Sequence, residues 1–121
     1  NNIFLRHARH QKATQEGIKA MGLNLFTKEG YGSPAITAVE PKNIDAENIR
    51  KVIKNDFDIL LAGGQDHLKG KIFRIGHLGF VNDRDIVSVI SALESTLHKM
   101  GKLQVPIGEG ISKTISVLNN K

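Results

Sequence analysis

The apolar residues fall into a few periodic stretches separated by glycine, proline and polar punctuation. Over residues 2–21, Phe4, Leu5, Ala8, Ile18 and Met21 recur at helix-compatible spacing, and Gly22 stands where a C-terminal cap belongs. Residues 23–26 alternate briefly like a strand, 28–34 read as a turn-rich loop, and 35–39 form the next strand, closed by Pro41. Asp45 is placed to cap a helix carrying Ile49, Val52, Ile53 and Phe57 on one face, with Ile44 and Ile49 at the spacing of a hydrophobic staple. The run Ile59-Leu60-Leu61-Ala62 reads as a short buried strand, 63–71 as a polar loop, and Ile72-Phe73-Arg74-Ile75 as a strand that ends at Gly76. The last clear helix opens at Asn82, with Val81 and Ile86 at staple spacing. It carries Ile86, Ile90, Leu93, Leu97 and Met100 at alternating steps of four and three, and Gly101 ends it.

This order of helix, strand, strand, helix, strand, strand, helix predicts an α+β domain over residues 1–101. Short connections between neighbouring strands favour antiparallel pairing, so the expected architecture is a small, mainly antiparallel sheet covered by helices. Residues 102–121 hold Pro106, two glycines and the weakly amphipathic Ile111, Ile115 and Leu118, and are expected to form a loosely held tail.

Composition narrows the classes further. With 121 residues, 40% of them hydrophobic and 24% charged, the chain can bury a core, which excludes disorder and low complexity. The net charge of +5 gives an anionic partner or substrate a hearing, although the basic residues are scattered. The absence of cysteine excludes disulfides, thiolate metal sites, iron–sulfur clusters and a cysteine nucleophile. No apolar run approaches the ~18 residues that a membrane span needs, and no signal-peptide layout opens the chain, so no membrane partner is expected and the cytoplasm is the default compartment. Asn1 stands without an initiator Met, and the charged run 6–12 follows Phe4-Leu5 at once, as though a helix were already under way; the expectation is a piece of something longer.

Several motifs fail on inspection. Gly63-Gly64 with Gly70-Lys71 suggests a phosphate loop, but Gln65 stands where the first Walker glycine belongs and Ile72 where Ser or Thr must follow the lysine. Loop glycines needing positive φ are the plainer reading. Gly76-His77-Leu78-Gly79 has the GxxG form of a KH loop but follows a strand, and only 5% of the residues are aromatic, too few for base-stacking platforms; no nucleic-acid partner is expected. His7 and His10 are three apart on the first helix without a supporting carboxylate, and His67, His77 and His98 lie in different elements, so no metal site is assigned. Arg74 is the exception. It occupies the middle of an apolar strand, on the face of Ile72 and Gly76, where a guanidinium must reach solvent, meet an internal carboxylate such as Asp66, or await the carboxylate of a ligand.

The stretch 62–79, with Gly63-Gly64, Gly70-Lys71, Arg74-Ile75-Gly76 and Gly79, resembles the GGxxxxxGKxxRIGxxG block of class V aminotransferases, in the alanine-glyoxylate and serine-glyoxylate branch that includes relatives labelled soluble hydrogenase small subunit. Arg6-His7-Ala8-Arg9, Gly22-Leu23-Asn24-Leu25-Phe26, the SPxxTAV-like Ser33 to Val39 and Ala92-Leu93-Glu94 resemble other segments of the family in the same order. The resemblance implies the small C-terminal domain of a fold-type I pyridoxal-phosphate enzyme that is a homodimer. Its implied reaction transfers an amino group from a small amino acid of alanine or serine type to a 2-oxo acid such as glyoxylate. It also implies that Arg74 binds the substrate α-carboxylate, and that the cofactor lysine and phosphate donors lie in the missing N-terminal large domain. No catalytic, cofactor-binding or metal-ligating residue is therefore assigned in this chain, which alone is expected to be inactive. Two rivals remain open: a free-standing α+β module that binds a small carboxylate for regulation, and a weak RNA-binding domain.

Overall fold

The computed structural model describes residues 2–26, 36–76 and 82–120. Among these residues, four α-helices and four short strands follow in the order α1 (Asn2–Ala20), β1 (Asn24–Leu25), β2 (Ile36–Glu40), α2 (Ala46–Phe57), β3 (Ala62–Gly63), β4 (Phe73–Gly76), α3 (Asp83–Lys99) and α4 (Glu109–Asn119). The strands make one antiparallel sheet in the order β1-β2-β4-β3, the α+β architecture that the pattern predicts. No helix among the described residues is long and apolar enough to cross a membrane.

Local chemistry explains the boundaries. Asp45 caps α2 by accepting from the Glu47 amide at 3.0 Å. Asp58 ends that helix in the left-handed region, with its N–H bonded to Lys54 O at 3.0 Å. Asn82 caps α3 reciprocally, its side chain accepting from Arg84 and Asp85 while the Asp85 carboxylate accepts from the Asn82 amide. Val81, the outer half of the expected staple, lies outside the described residues, as do the 28–34 loop and residues 77–79.

Alternation divides the sheet into two faces. Val39, Phe73 and Ile75 join Ile49 and Ile53 of α2 and Ile86, Ile90, Leu93 and Leu97 of α3 in the main core. On the opposite face Phe26, Ala38 and Ile72 form a much smaller cluster with Leu68. Among the described residues, the strands carry helices on one side and only this small cluster on the other.

Two expectations change. The buried strand over 59–62 is reduced to β3, because only Ala62 and Gly63 are in register with β4; Leu61 is buried, whereas Leu60 is 79% exposed. Residues 102–121, expected as a loosely held tail, contain α4, whose Gly110, Thr114 and Leu118 are buried and which packs against α1 and α3. The packing depends on small residues. A Cβ added at Gly17 of α1 would fall 2.0 Å from Thr114 Oγ1 and 3.2 Å from Gly110 O, so the two helices meet closely where α1 has no side chain.

Candidate functional site

Arg74 sits on an inner strand, on the sheet face opposite the main core. Its cross-strand neighbours are Ala38 on β2 and Ala62 on β3, so a methyl group flanks it on each side. The side chain is half-buried, and its Nε donates to Gly63 O at 2.9 Å. Among the described residues its two terminal nitrogens have no hydrogen-bond or ion-pair partner. Asp66, the internal partner that the sequence suggested, is exposed on the 3-10 turn Asp66–Leu68 and makes no ion pair with Arg74. With Nε committed to the backbone, the donors left without a partner among the described residues are Nη1 and Nη2. They form the end of the planar fork, which meets a carboxylate through two parallel hydrogen bonds.

The glycine-rich loop meets this site through Gly63 O, the acceptor of the Arg74 Nε–H. Gly70 has φ +82°, as a loop glycine of that kind should, and its carbonyl accepts from the Ala46 amide at 2.9 Å, tying the loop to the start of α2. Gly63 and Gly64 are not in the positive-φ region and serve close approach instead. A Cβ on Gly64 would lie 2.3 Å from Leu68 O, and one on Gly63 would lie 2.7 Å from Arg50 Nη1 and 2.8 Å from Glu47 Oε2. Arg50 and Glu47 were not singled out by sequence reasoning. Their separation of three on α2 was the available signal, but it is also that of any surface ion pair.

The histidines are dispersed. His10 is buried with Nε2 3.2 Å from Asp83 Oδ1, the His7 side chain is half-buried, and His67 and His98 are exposed. Asp83 is gripped bidentately by Arg9 at 2.7 and 2.8 Å, and the same guanidinium reaches Leu118 O, so this cluster ties α1, α3 and α4 together. Arg9 holds the Asp83 carboxyl down at about 2, against the opposing effect of burial and with His10 assisting. A cleft of about 380 Å³ between α3 and α4, lined by Val87, Ile115 and Leu118 among others, does not include Arg74.

Pyridoxal phosphate, the cofactor that the resemblance implies, needs a lysine for its covalent anchorage. Every described lysine is exposed, so none is enclosed in the interior as a covalent anchor. The described residues therefore do not fit the cofactor's covalent anchorage, and no chemical step is assigned to them through it.

No protein-family model matches the chain. It is 53% identical, over 97% of its length, to the small subunit of a soluble hydrogenase from Synechococcus sp., covering 30% of that protein. It is 36% identical over 97% of its length to the (S)-ureidoglycine–glyoxylate transaminase of Bacillus subtilis, of which it covers 28%, and 36% identical over 98% to the serine–glyoxylate aminotransferase of Arabidopsis thaliana, of which it covers 30%. Among solved structures, ureidoglycine–glyoxylate aminotransferase from Bacillus subtilis matches with a TM-score of 0.83 and 34% identity, over 96% of this chain and 30% of that one. The chain thus spans about 30% of the length of the curated relatives it matches. It belongs to the class V aminotransferases. Its fold is that of their C-terminal domain.

Proposed function

We propose that this domain supplies the carboxylate clamp of a pyridoxal-phosphate-dependent aminotransferase, with Arg74 receiving the α-carboxylate of the substrate end-on through Nη1 and Nη2. The observation that carries the reading is the Nε bond to Gly63 O, which orients the fork while both terminal nitrogens have no partner among the described residues. The substrates are a small amino acid of alanine or serine type and a 2-oxo acid such as glyoxylate, in keeping with the serine–glyoxylate and ureidoglycine–glyoxylate activities named for relatives. Cofactor chemistry, which supplies the electron sink for amino-group transfer, falls to residues outside this chain.

Some relatives carry the name of soluble hydrogenase subunits. Nickel–iron and iron–sulfur centres take thiolate ligands, and this chain has no cysteine to offer. Its residues favour transamination.

The test is substrate binding in the aminotransferase that carries this domain. Arg74→Ala should weaken binding of the amino donor, while pyridoxal phosphate remains bound with its usual absorbance. Substrate affinity equal to that of the parent enzyme would refute the role of Arg74.

A further inference from the structure

We propose that Arg50 and Glu47 of α2 are positioning residues for Arg74, acting on it through β3. The inference deepens, and rests on, the carboxylate-binding reading of Arg74.

The strand that orients Arg74 cannot hold itself. Among the described residues β3 has two residues, lies at the sheet edge and pairs with β4 alone, so little within the sheet fixes the direction of its carbonyls. The missing restraint comes from α2. Arg50 Nε donates to Leu61 O at 2.8 Å, and its Nη1 donates to Glu47 Oε1 at 2.7 Å. The pair lies directly over the Cα of Gly63, in the space that a side chain would fill.

Register shows how the parts are layered. Gly63 faces Phe73, a core residue, so the absent Gly63 side chain would project to the helix-covered face. Ala62 faces Arg74, which belongs to the other face. The Glu47–Arg50 pair therefore presses on β3 from within, and Arg74 reaches back to the same strand from outside. Gly63 lies between the two guanidinium groups, one packed on its Cα and the other bonded to its oxygen. Moving the inner pair moves the oxygen that fixes the rotation of the Arg74 fork.

Residue types at these positions fit the task. Arg50 bonds a carbonyl through Nε and a carboxylate through Nη1 simultaneously, which the single ammonium of lysine cannot reproduce in the same geometry. Glycine at position 63 is required by space rather than by φ.

The experiment reads Arg74 directly. The chain closes its core with its own residues, so the isolated 121-residue protein can be used for nitrogen-edited NMR of the arginine Nε–H groups. Arg50→Met removes the inner brace. Gly63→Ala instead drives the pair away by filling its space, leaving both charges in the chain, and carries the test if Arg50→Met does not fold. Each should speed exchange of the Arg74 Nε–H with water by about tenfold, the loss expected for one hydrogen bond of a charged group. Arg50→Lys should behave like Arg50→Met. Exchange unchanged in the folded variants overturns the inference, whatever Arg74 binds. In the parent aminotransferase the same variants should raise KM for the amino donor about tenfold while kcat changes by less than about threefold, as expected when ground-state binding is weakened. A loosened Arg74 with an unchanged KM would overturn the carboxylate reading instead.

Discussion

Glu94, fully buried on α3, accepts a hydrogen bond from the backbone N–H of Gly110 at 2.9 Å and a longer one from Ile111 at 3.3 Å. These are first-turn donors of α4, whose N-cap, Gly108, has no side chain to offer them. The helix is thus capped by its neighbour. Glu94→Ala should cost about 2–3 kcal/mol by stranding buried donors, and Glu94→Gln, which keeps one acceptor oxygen, about 1–2 kcal/mol. Urea unfolding measures both, and equal midpoints for wild type and Glu94→Ala would contradict the capping role.

Gly17 and Thr114 form the close contact between α1 and α4. Alanine within a helix is favoured over glycine by about 1 kcal/mol, yet its Cβ here would lie 2.0 Å from Thr114 Oγ1, which donates to Ala13 O at 3.2 Å. Overpacking of this kind costs about 1–3 kcal/mol, so the clash outweighs propensity and Gly17→Ala should be destabilising. Pairing it with Thr114→Ala should recover part of the loss, giving a coupling of about 1 kcal/mol in a double-mutant cycle. A more stable Gly17→Ala protein would show that the helices are free to separate.

The Arg9–Asp83 pair makes stability depend on acid in a defined window. The folded-state Asp83 carboxyl titrates at about 2, below its ordinary 3.8, so its contribution is present above about pH 3.8 and is lost as pH falls toward 2. The Asp83 side chain is 45% exposed, and solvent screening limits the effect to about 1 kcal/mol or less. Asp83→Asn should lower stability at neutral pH and narrow its difference from wild type through that window. A difference that stays constant from pH 5 to pH 2 would show that the pair is not the source.

The sequence revealed what local chemistry determines. Asp45 and Asn82 announce helix starts because an N-cap needs only a short polar side chain and the next few amides, and both do that work here. Arg74 stood out because alternation placed a charge among apolar neighbours. What escaped depends on distant partners. Beyond Leu118, the attachment of α4 runs through Gly17, Gly110, Thr114 and Glu94, small or polar residues that add nothing to a hydrophobic stripe. The Ile59-Leu60-Leu61-Ala62 run suggested a longer strand, but edge pairing stops at two residues and Leu60 faces solvent. The Glu47–Arg50 brace has the spacing of an ordinary helix pair and acquires its meaning only from the strand it touches.

The carboxylate clamp is tested most directly by the dissociation constant for the amino donor in the parent aminotransferase, compared between wild type and Arg74→Ala with pyridoxal phosphate bound. Loss of a charge-assisted fork should weaken binding by about 1.5–3 kcal/mol, which is roughly 10-fold to 150-fold. An unchanged dissociation constant in a folded, cofactor-loaded Arg74→Ala enzyme would contradict the account.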